Sequence, residues 1–259
     1  MENMQNNQKI AAAFVKARQE NLPINTYPGD MPADLDTAYA IQNIAINLMQ
    51  EKVGGWKVAK LSPEFAEKFG EERLVGPVFE SSILFADHQQ VSAAIFDGYA
   101  AAEVEIMMRV GNVPDGKIDV DGARGMVDEV RFGLEMAGSP FAEINAHGPA
   151  VTISDFGNNN GLIIGDIIEN MDGNQIKQAV ININIDGELV GSGNLADGLD
   201  GPLAAAAFLH NILIDRGLSL EKGQWISTGA ITGAHKIEKG AQILAKLDDK
   251  LQIAARVND

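Results

Sequence analysis

The run Ala101-Ala102-Glu103-Val104-Glu105-Ile106-Met107-Met108 is apolar except for two glutamates two positions apart. A strand puts residues i and i+2 on the same side, so both carboxylates would share one face, about 6–7 Å apart along it. In water they make an ordinary amphipathic strand. Out of water they repel each other and lose hydration, and must be protonated or compensated. A divalent cation compensates both at once, and oxygen-only ligands suit Mg²⁺ or Mn²⁺. The flanking Ala101-Ala102 and Met107-Met108 favour burial, but the segment alone leaves both readings open. Glu143, in SPFAEINAHG, is a further acid in an apolar, strand-like segment.

The periodicity around this run predicts an α+β protein with a large curled sheet and an N-terminal helical region. Helices are expected over 7–20 and 33–50, the second capped by Asp34 or Asp36, with Pro23, Pro28 and Pro32 between them. GGWKVAKLS, at 54–62, alternates as a strand should, and 63–75 reads as a short helix or a lid. Strand-like runs follow over 89–96, 101–110, 141–146, 150–155, 161–168, 176–185, 188–194, 225–231 and 242–257, and Asp186-Gly187 is a hairpin signal. Val127, Val130 and Leu134 fall at helical spacing and predict a helix over 121–137, with Phe132 and Met136 off its stripe. A second helix opens at Asp200-Gly201-Pro202 and closes at Gly217. The expected division is a mainly helical region, 1–85, and a mainly strand-built region, 86–259, that carries the candidate glutamates.

Composition narrows the function. With 46% hydrophobic and 22% charged residues, the chain of 259 residues is globular in character. No apolar run reaches the roughly 18 residues of a membrane span, and the start lacks the pattern of a signal peptide. The expectation is a cytoplasmic protein. The absence of cysteine excludes disulfides and thiolate chemistry. A formal net charge of -16 argues against nucleic acid as a partner. A small anionic substrate would need a local cation, which a bound metal could supply.

Several segments, in order, carry a family likeness: TAYAIQ at 37–42, GWKVAKLSP at 55–63, EVEI at 103–106, FAEI at 141–144, ISDFGNNNGLIIG at 153–165, the long segment at 191–223, and STGAITGAHKIEKG at 227–240. Together they make the chain resemble the 2-keto-4-pentenoate hydratase family of the fumarylacetoacetate hydrolase-like superfamily, which also includes 4-oxalocrotonate decarboxylases. The resemblance implies that superfamily's β-roll fold. It implies Mg²⁺ or Mn²⁺ held by Glu103, Glu105 and Glu143, and a 2-keto acid chelated by the metal. It places Lys57 near the substrate as an acid–base group, and puts Asn158, Thr228 and His235 at the substrate. A homo-oligomer, sometimes joined by a pathway partner enzyme, is implied in the same way.

The activity so implied is a metal-dependent hydratase acting on a 2-hydroxy-2,4-dienoate in aromatic meta-cleavage catabolism. The alternatives are a 4-oxalocrotonate-type decarboxylase, another keto-acid lyase or hydrolase, and a non-catalytic relative. Metal polarisation of the C2 carbonyl serves hydration and decarboxylation alike. The chain departs from the family pattern near the chemistry. Val78 stands where the hydratases usually carry an acid, which makes Glu80 the candidate replacement. Phe156 stands in place of an asparagine, Asn158 in place of a serine, and Ala59 in place of a glycine.

Overall fold

The computed structural model describes residues 2–86, 89–169, 178–195 and 201–258. Helices α1 (Glu2–Glu20) and α2 (Leu35–Met49) form the N-terminal layer. Asp34 caps α2, its Oδ1 accepting from Thr37 N at 2.7 Å. Ile10 and Phe14 of α1 and Ile41 and Ala45 of α2 pack with Tyr27, Phe141 and Phe156 in a core of their own.

The remaining elements, in chain order, are β1 (Val53–Lys60), α3 (Pro63–Phe69), β2 (Arg73–Phe79), β3 (Ile83–Phe85), β4 (Val91–Ala93), β5 (Tyr99–Val110), α4 (Val120–Met126), β6 (Val127–Ser139), α5 (Pro149–Ser154), β7 (Asn159–Ile167), β8 (Val180–Ile185), β9 (Glu188–Asn194), α6 (Gly201–Asp215), β10 (Trp225–Ser227), β11 (Ala234–Lys236), β12 (Gln242–Leu247) and β13 (Leu251–Val257). They build an 8-stranded mixed sheet, ordered β2-β1-β10-β5-β6-β7-β3 with β11 also on β5, and a 5-stranded sheet, ordered β4-β13-β12-β8-β9. The architecture is the expected α+β β-roll, a helical layer against a large curled sheet. Strands from before and after residue 85 share the larger sheet, with β2, β1 and β3 at its two ends and the later strands between them.

β5 sits at the centre of that sheet, between β10 and β6. Ala102, Val104, Ile106 and Met108 project from one face into the main core, with Trp56 and Val58 of β1, Phe132 and Leu134 of β6, and Leu209 and Leu213 of α6. Each such fully buried large side chain contributes about 1.5–3 kcal/mol. Glu103, Glu105 and Met107 point to the other face, which is also covered: nearly all of β5 is buried.

Several strand expectations were met in place, among them β7, β9 and the β12–β13 pair. At the β8–β9 turn, Asp186 and Gly187 both adopt positive φ, 52° and 86°, as a tight hairpin demands. Asp200, where the second helix was expected to open, and residues 176 and 177 of one expected strand lie outside the described residues. Three expectations are corrected. Residues 127–139 are not helical: after the short α4 the chain turns into β6, paired with β5 on one side and β7 on the other. Phe132, Leu134 and Met136 alternate into the core, so the period of two decides over the helical spacing of Val127, Val130 and Leu134. Conversely, 141–146 is a turn region and α5 occupies 149–154, both read above as strands.

Gly133 shows how tightly the acidic face is packed. It lies opposite Glu105 in the β5–β6 register, and a Cβ there would come within 2.3 Å of Met107 Cγ. Gly133→Ala should therefore destabilise the fold by about 1–3 kcal/mol in urea unfolding. A Met107→Ala change in the same chain should recover part of that loss as a non-additive coupling. Unchanged stability of the single variant would contradict this packing.

Candidate metal centre

Four charged side chains from three strands meet on the second face of the large sheet. Glu103 and Glu105 come from β5. Glu135 of β6 lies directly opposite Glu103, and Lys57 comes from β1. One oxygen from each of the three carboxylates lies within 4.8 Å of the others. Lys57 Nζ reaches Glu135 Oε1 at 3.0 Å, with both side chains almost fully buried. Ser227 of β10, paired with Lys57 on one side and Met107 on the other, directs its hydroxyl at Glu105 Oε2. Gly229 N donates to the same oxygen at 2.7 Å. Asn159 Nδ2 donates to Glu135 Oε1 at 3.0 Å.

Charge is out of balance in this cluster. Three carboxylates face one ammonium, a formal excess of two negative charges. The electrostatics carry the imprint. Burial raises the Glu103 carboxyl from its ordinary 4.5 to about 7, with Lys57 opposing and Glu135 adding to the rise. Glu105 is pushed well above the carboxylate range by burial, then by Glu135 and Glu103. For Lys57, burial works to lower the ammonium pKa, but Glu135, Glu103 and Glu105 together outweigh it and hold it above its usual value. Lys57 is thus an ammonium by virtue of its neighbours.

The donor set fits a divalent cation. Glu135 Oε2 is buried with no hydrogen-bond partner, and the two polar contacts on Glu105 both fall on Oε2, leaving Oε1 for another partner. All the donors are carboxylate oxygens, which suits Mg²⁺ or Mn²⁺ over softer metals. A dication would cancel the formal excess.

A cleft of about 380 Å³ opens onto Glu103 and Lys57. Lys60, Tyr99, Asn145 and Asn158 line it, with Leu61, Phe65 and Leu74 supplying apolar wall. Burial, then Glu103, raises the Tyr99 phenol pKa. The inner wall is a backbone turn: Phe156, Gly157 and Asn158 all adopt left-handed conformations, with φ of 55°, 64° and 61°. For a non-glycine residue this costs roughly 1–2 kcal/mol. The turn lies so close over β2 that a Cβ on Gly76 would sit 2.0 Å from Phe156 O. It also brings Asn158 into the cleft, where Nδ2 donates to Asn145 Oδ1 at 3.1 Å.

Set against the sequence expectations, the structure brings Glu103, Glu105, Lys57 and Asn158 together. The other four candidates lie elsewhere. Glu143 sits in the turn region before α5, exposed, 3.4 Å from His147 Nε2, and outside the acidic cluster. The third acid of the cluster is Glu135. Glu80 is an exposed partner of Lys52 at 2.5 Å and does not line the cleft, because it follows the end of β2 in a short 3₁₀ turn. His235 pairs with Ala102, not Glu103, so it points to the opposite face, with Nε2 at 2.9 Å from Thr232 O. Thr228 hydrogen-bonds Ile106 O at 2.8 Å and faces a separate small cavity. Its neighbours Ser227 and Gly229 are the residues that hold Glu105. Val78 is fully buried among Met107, Leu162, Ile164 and Trp225, so no acid replaces it there.

Two measurements test this centre. Mn²⁺ titrated calorimetrically should bind the wild type, and Glu135→Ala should weaken binding by more than about tenfold, since even outer-shell changes cost that much. Glu143→Ala should leave it unchanged; the reverse pattern would restore Glu143 as the ligand. The second test uses the metal-free protein. Between about 4.5 and about 7 the folded chain keeps a proton on Glu103 that the unfolded chain releases. Stability should therefore fall as pH rises through that window. Thermal melts at pH 5 and pH 7.5 should show a steeper fall for wild type than for Glu103→Gln, and parallel falls would refute the assignment.

No protein-family model matches the sequence. Similar solved structures exist. A 4-oxalocrotonate decarboxylase from Pseudomonas putida G7, complexed with magnesium and adipate, superimposes with a TM-score of 0.81 at 20% identity, over 98% of each chain. A fumarylpyruvate hydrolase from Pseudomonas aeruginosa, in complex with Mn²⁺ and pyruvate, gives 0.58 at 16% identity over 78% of this chain and 88% of the other. A 5-carboxymethyl-2-hydroxymuconate delta-isomerase from Mycobacterium smegmatis gives 0.57 at 14% identity over 80% of each chain. Among the described residues no helix is long and apolar enough to cross a membrane. The fold of the chain is the fumarylacetoacetate hydrolase-like β-roll, with an acidic cluster suited to a metal at its centre.

Proposed function

We propose that the chain is a divalent-metal-dependent enzyme acting on a small 2-oxo acid, and that its reaction is the decarboxylation of an unsaturated 2-oxo dicarboxylate. The carrying observation is the buried cluster: Glu103, Glu105 and Glu135 with a formal excess of two negative charges over Lys57, at the base of a cleft. The full-length match to a decarboxylase complexed with magnesium supports the choice of reaction. So does the cleft itself. Its charged or proton-exchanging lining among the described residues is Lys57, Lys60, Tyr99 and Glu103. Hydration needs an acid–base group to activate water and protonate carbon. The position expected to supply it is the buried Val78, and Glu80 lies outside the cleft. Decarboxylation asks less of the protein.

In this reading Glu103, Glu105 and Glu135 hold Mg²⁺ or Mn²⁺. When bound, the metal supplies electrophilic polarisation of the 2-oxo group and its neighbouring carboxylate. The electron pair of the breaking C–C bond passes along the conjugated chain to the C2 oxygen as CO₂ leaves. One proton then balances the 2-hydroxydienoate product, and Lys57 is placed to give it. Its ammonium is held by Glu135, and the acidic surroundings keep it charged before the reaction. The apolar wall of Leu61, Phe65 and Leu74 limits water around the developing enol. Asn158 and Asn145 offer amide groups to the substrate's polar end. Self-association of the chain belongs to the same proposal.

The test combines spectroscopy with product mass. With Mg²⁺ or Mn²⁺, 2-oxohex-3-enedioate should be converted to a product lighter by CO₂, while 2-hydroxypenta-2,4-dienoate should not gain water. Gain of water by the dienoate would replace this reading with a hydratase. Lys57→Met should lower kcat by about 10²–10⁴-fold. An undiminished kcat would remove Lys57 from the chemistry.

A further inference from the structure

Arg18, near the end of α1, is far in sequence from the cleft residues, yet its guanidinium is nearly fully used beside them. Nε donates to Asp155 Oδ1 at 2.5 Å and Nη2 to Asp155 Oδ2 at 2.9 Å. Nη1 donates to Asn159 O at 2.8 Å, and Nη2 also reaches Gly138 O at 3.0 Å and Asp155 O at 3.3 Å. Phe96 and Phe156 stack over it, with ring centres at 5.0 and 5.1 Å. The two side chains of the ion pair are 8% and 0% exposed.

The acceptors mark out one object. Asp155 and Asn159 bracket the left-handed turn Phe156–Asn158, and Gly138 lies three residues beyond Glu135 on β6. The turn resists its own conformation at two non-glycine positions and needs an outside restraint. What the restraint secures is the acidic cluster. Gly157 packs so close to Lys57 that a Cβ would meet its Cδ at 3.1 Å. Asn159 Nδ2 and Lys57 Nζ both lie 3.0 Å from the same oxygen, Glu135 Oε1. With Oε1 so occupied, Glu135 Oε2 is the oxygen left without a protein partner.

We propose that Arg18 is a positioning residue for the metal centre: through Asp155 it clamps the Phe156–Asn158 turn so that Asn159 and Lys57 together orient Glu135, leaving Oε2 for the cation. A lysine could keep the charge but not the fork of donors that reaches Asp155, Asn159 and Gly138 at once. The N-terminal helical layer is thereby part of the site, not only its cover. This inference rests on the metal reading above.

The experiment measures Mn²⁺ affinity by calorimetry and metal-free thermal unfolding on the full-length wild type, Arg18→Lys, Asp155→Asn, the double variant and Asn159→Ala. Arg18→Lys and Asp155→Asn should each weaken Mn²⁺ binding about tenfold or more, as loss of an outer-shell partner does. The double variant should be little worse than either single one, because both break the same link. Asn159→Ala, which leaves the clamp intact and removes only the contact to Glu135, should show a similar loss. If the variants melt earlier but bind Mn²⁺ as tightly as wild type, Arg18 is only a staple and the inference is overturned. Should Arg18→Lys not fold, undiminished affinity in Asn159→Ala overturns it equally. A wild type that binds no Mn²⁺ sinks the metal reading itself and this inference with it, which is a different result from binding that the variants leave untouched.

Discussion

Three carboxylates and one ammonium buried on one face of a sheet are what the rest of this structure is arranged to tolerate. Burying an unbalanced set of charges is expensive, and an isolated ion pair seldom repays its lost hydration. Here the cost is spread over specific partners. Lys57 and Asn159 share one oxygen of Glu135, and Ser227 and Gly229 share one oxygen of Glu105. The remaining imbalance is left to a cation. The opposite face of the same strands supplies the compensating stability, since Val104, Ile106, Met108 and Leu134 lie in the main core, all at 0% exposure.

Register is what converts strand sequence into a site. Glu135 meets Glu103 because β6 runs antiparallel to β5 without a slip over that stretch, and Lys57 meets Ser227 across the parallel β1–β10 pair. A one-residue shift would turn each acid to the apolar face. Glycines serve where backbones must touch. Gly76 lets the Phe156 carbonyl lie on β2, and Gly133 makes room for Met107 beside Glu105.

The β-roll hosts decarboxylase, hydrolase and isomerase chemistry in the similar structures, so the fold alone does not select the reaction. The decarboxylation proposed above rests on the lining of the cleft as well. At position 78 an apolar side chain fills a packed pocket of Met107, Leu162, Ile164 and Trp225, where an acid would need a partner it does not have. In the proposed reading the chemistry leans on the acidic cluster and Lys57, with amides and not further acids along the wall among the described residues.

By itself the sequence determined the pieces with local signatures. Alternation revealed Glu103 and Glu105 on one face, and Lys57 within a strand, because a period of two is written in neighbouring residues. A cap at Asp34 or Asp36 and the Asp186-Gly187 turn were legible for the same reason. Glu135 was not. Its strand also satisfies helical spacing, and its membership of the cluster depends on pairing with a strand some thirty residues away. Glu143 drew notice instead because an acid among Phe141, Ala142 and Ile144 looks like a strand residue until α5 and its preceding turn are seen. Glu80 and His235 lie apart from the cluster for related reasons: one sits past the end of its strand, the other one step out of phase with Glu103. Which acids converge, which oxygens remain free, and that an arginine from the first helix braces them were decided only by tertiary structure, because strand register and long-range hydrogen bonds have no local signal in the chain.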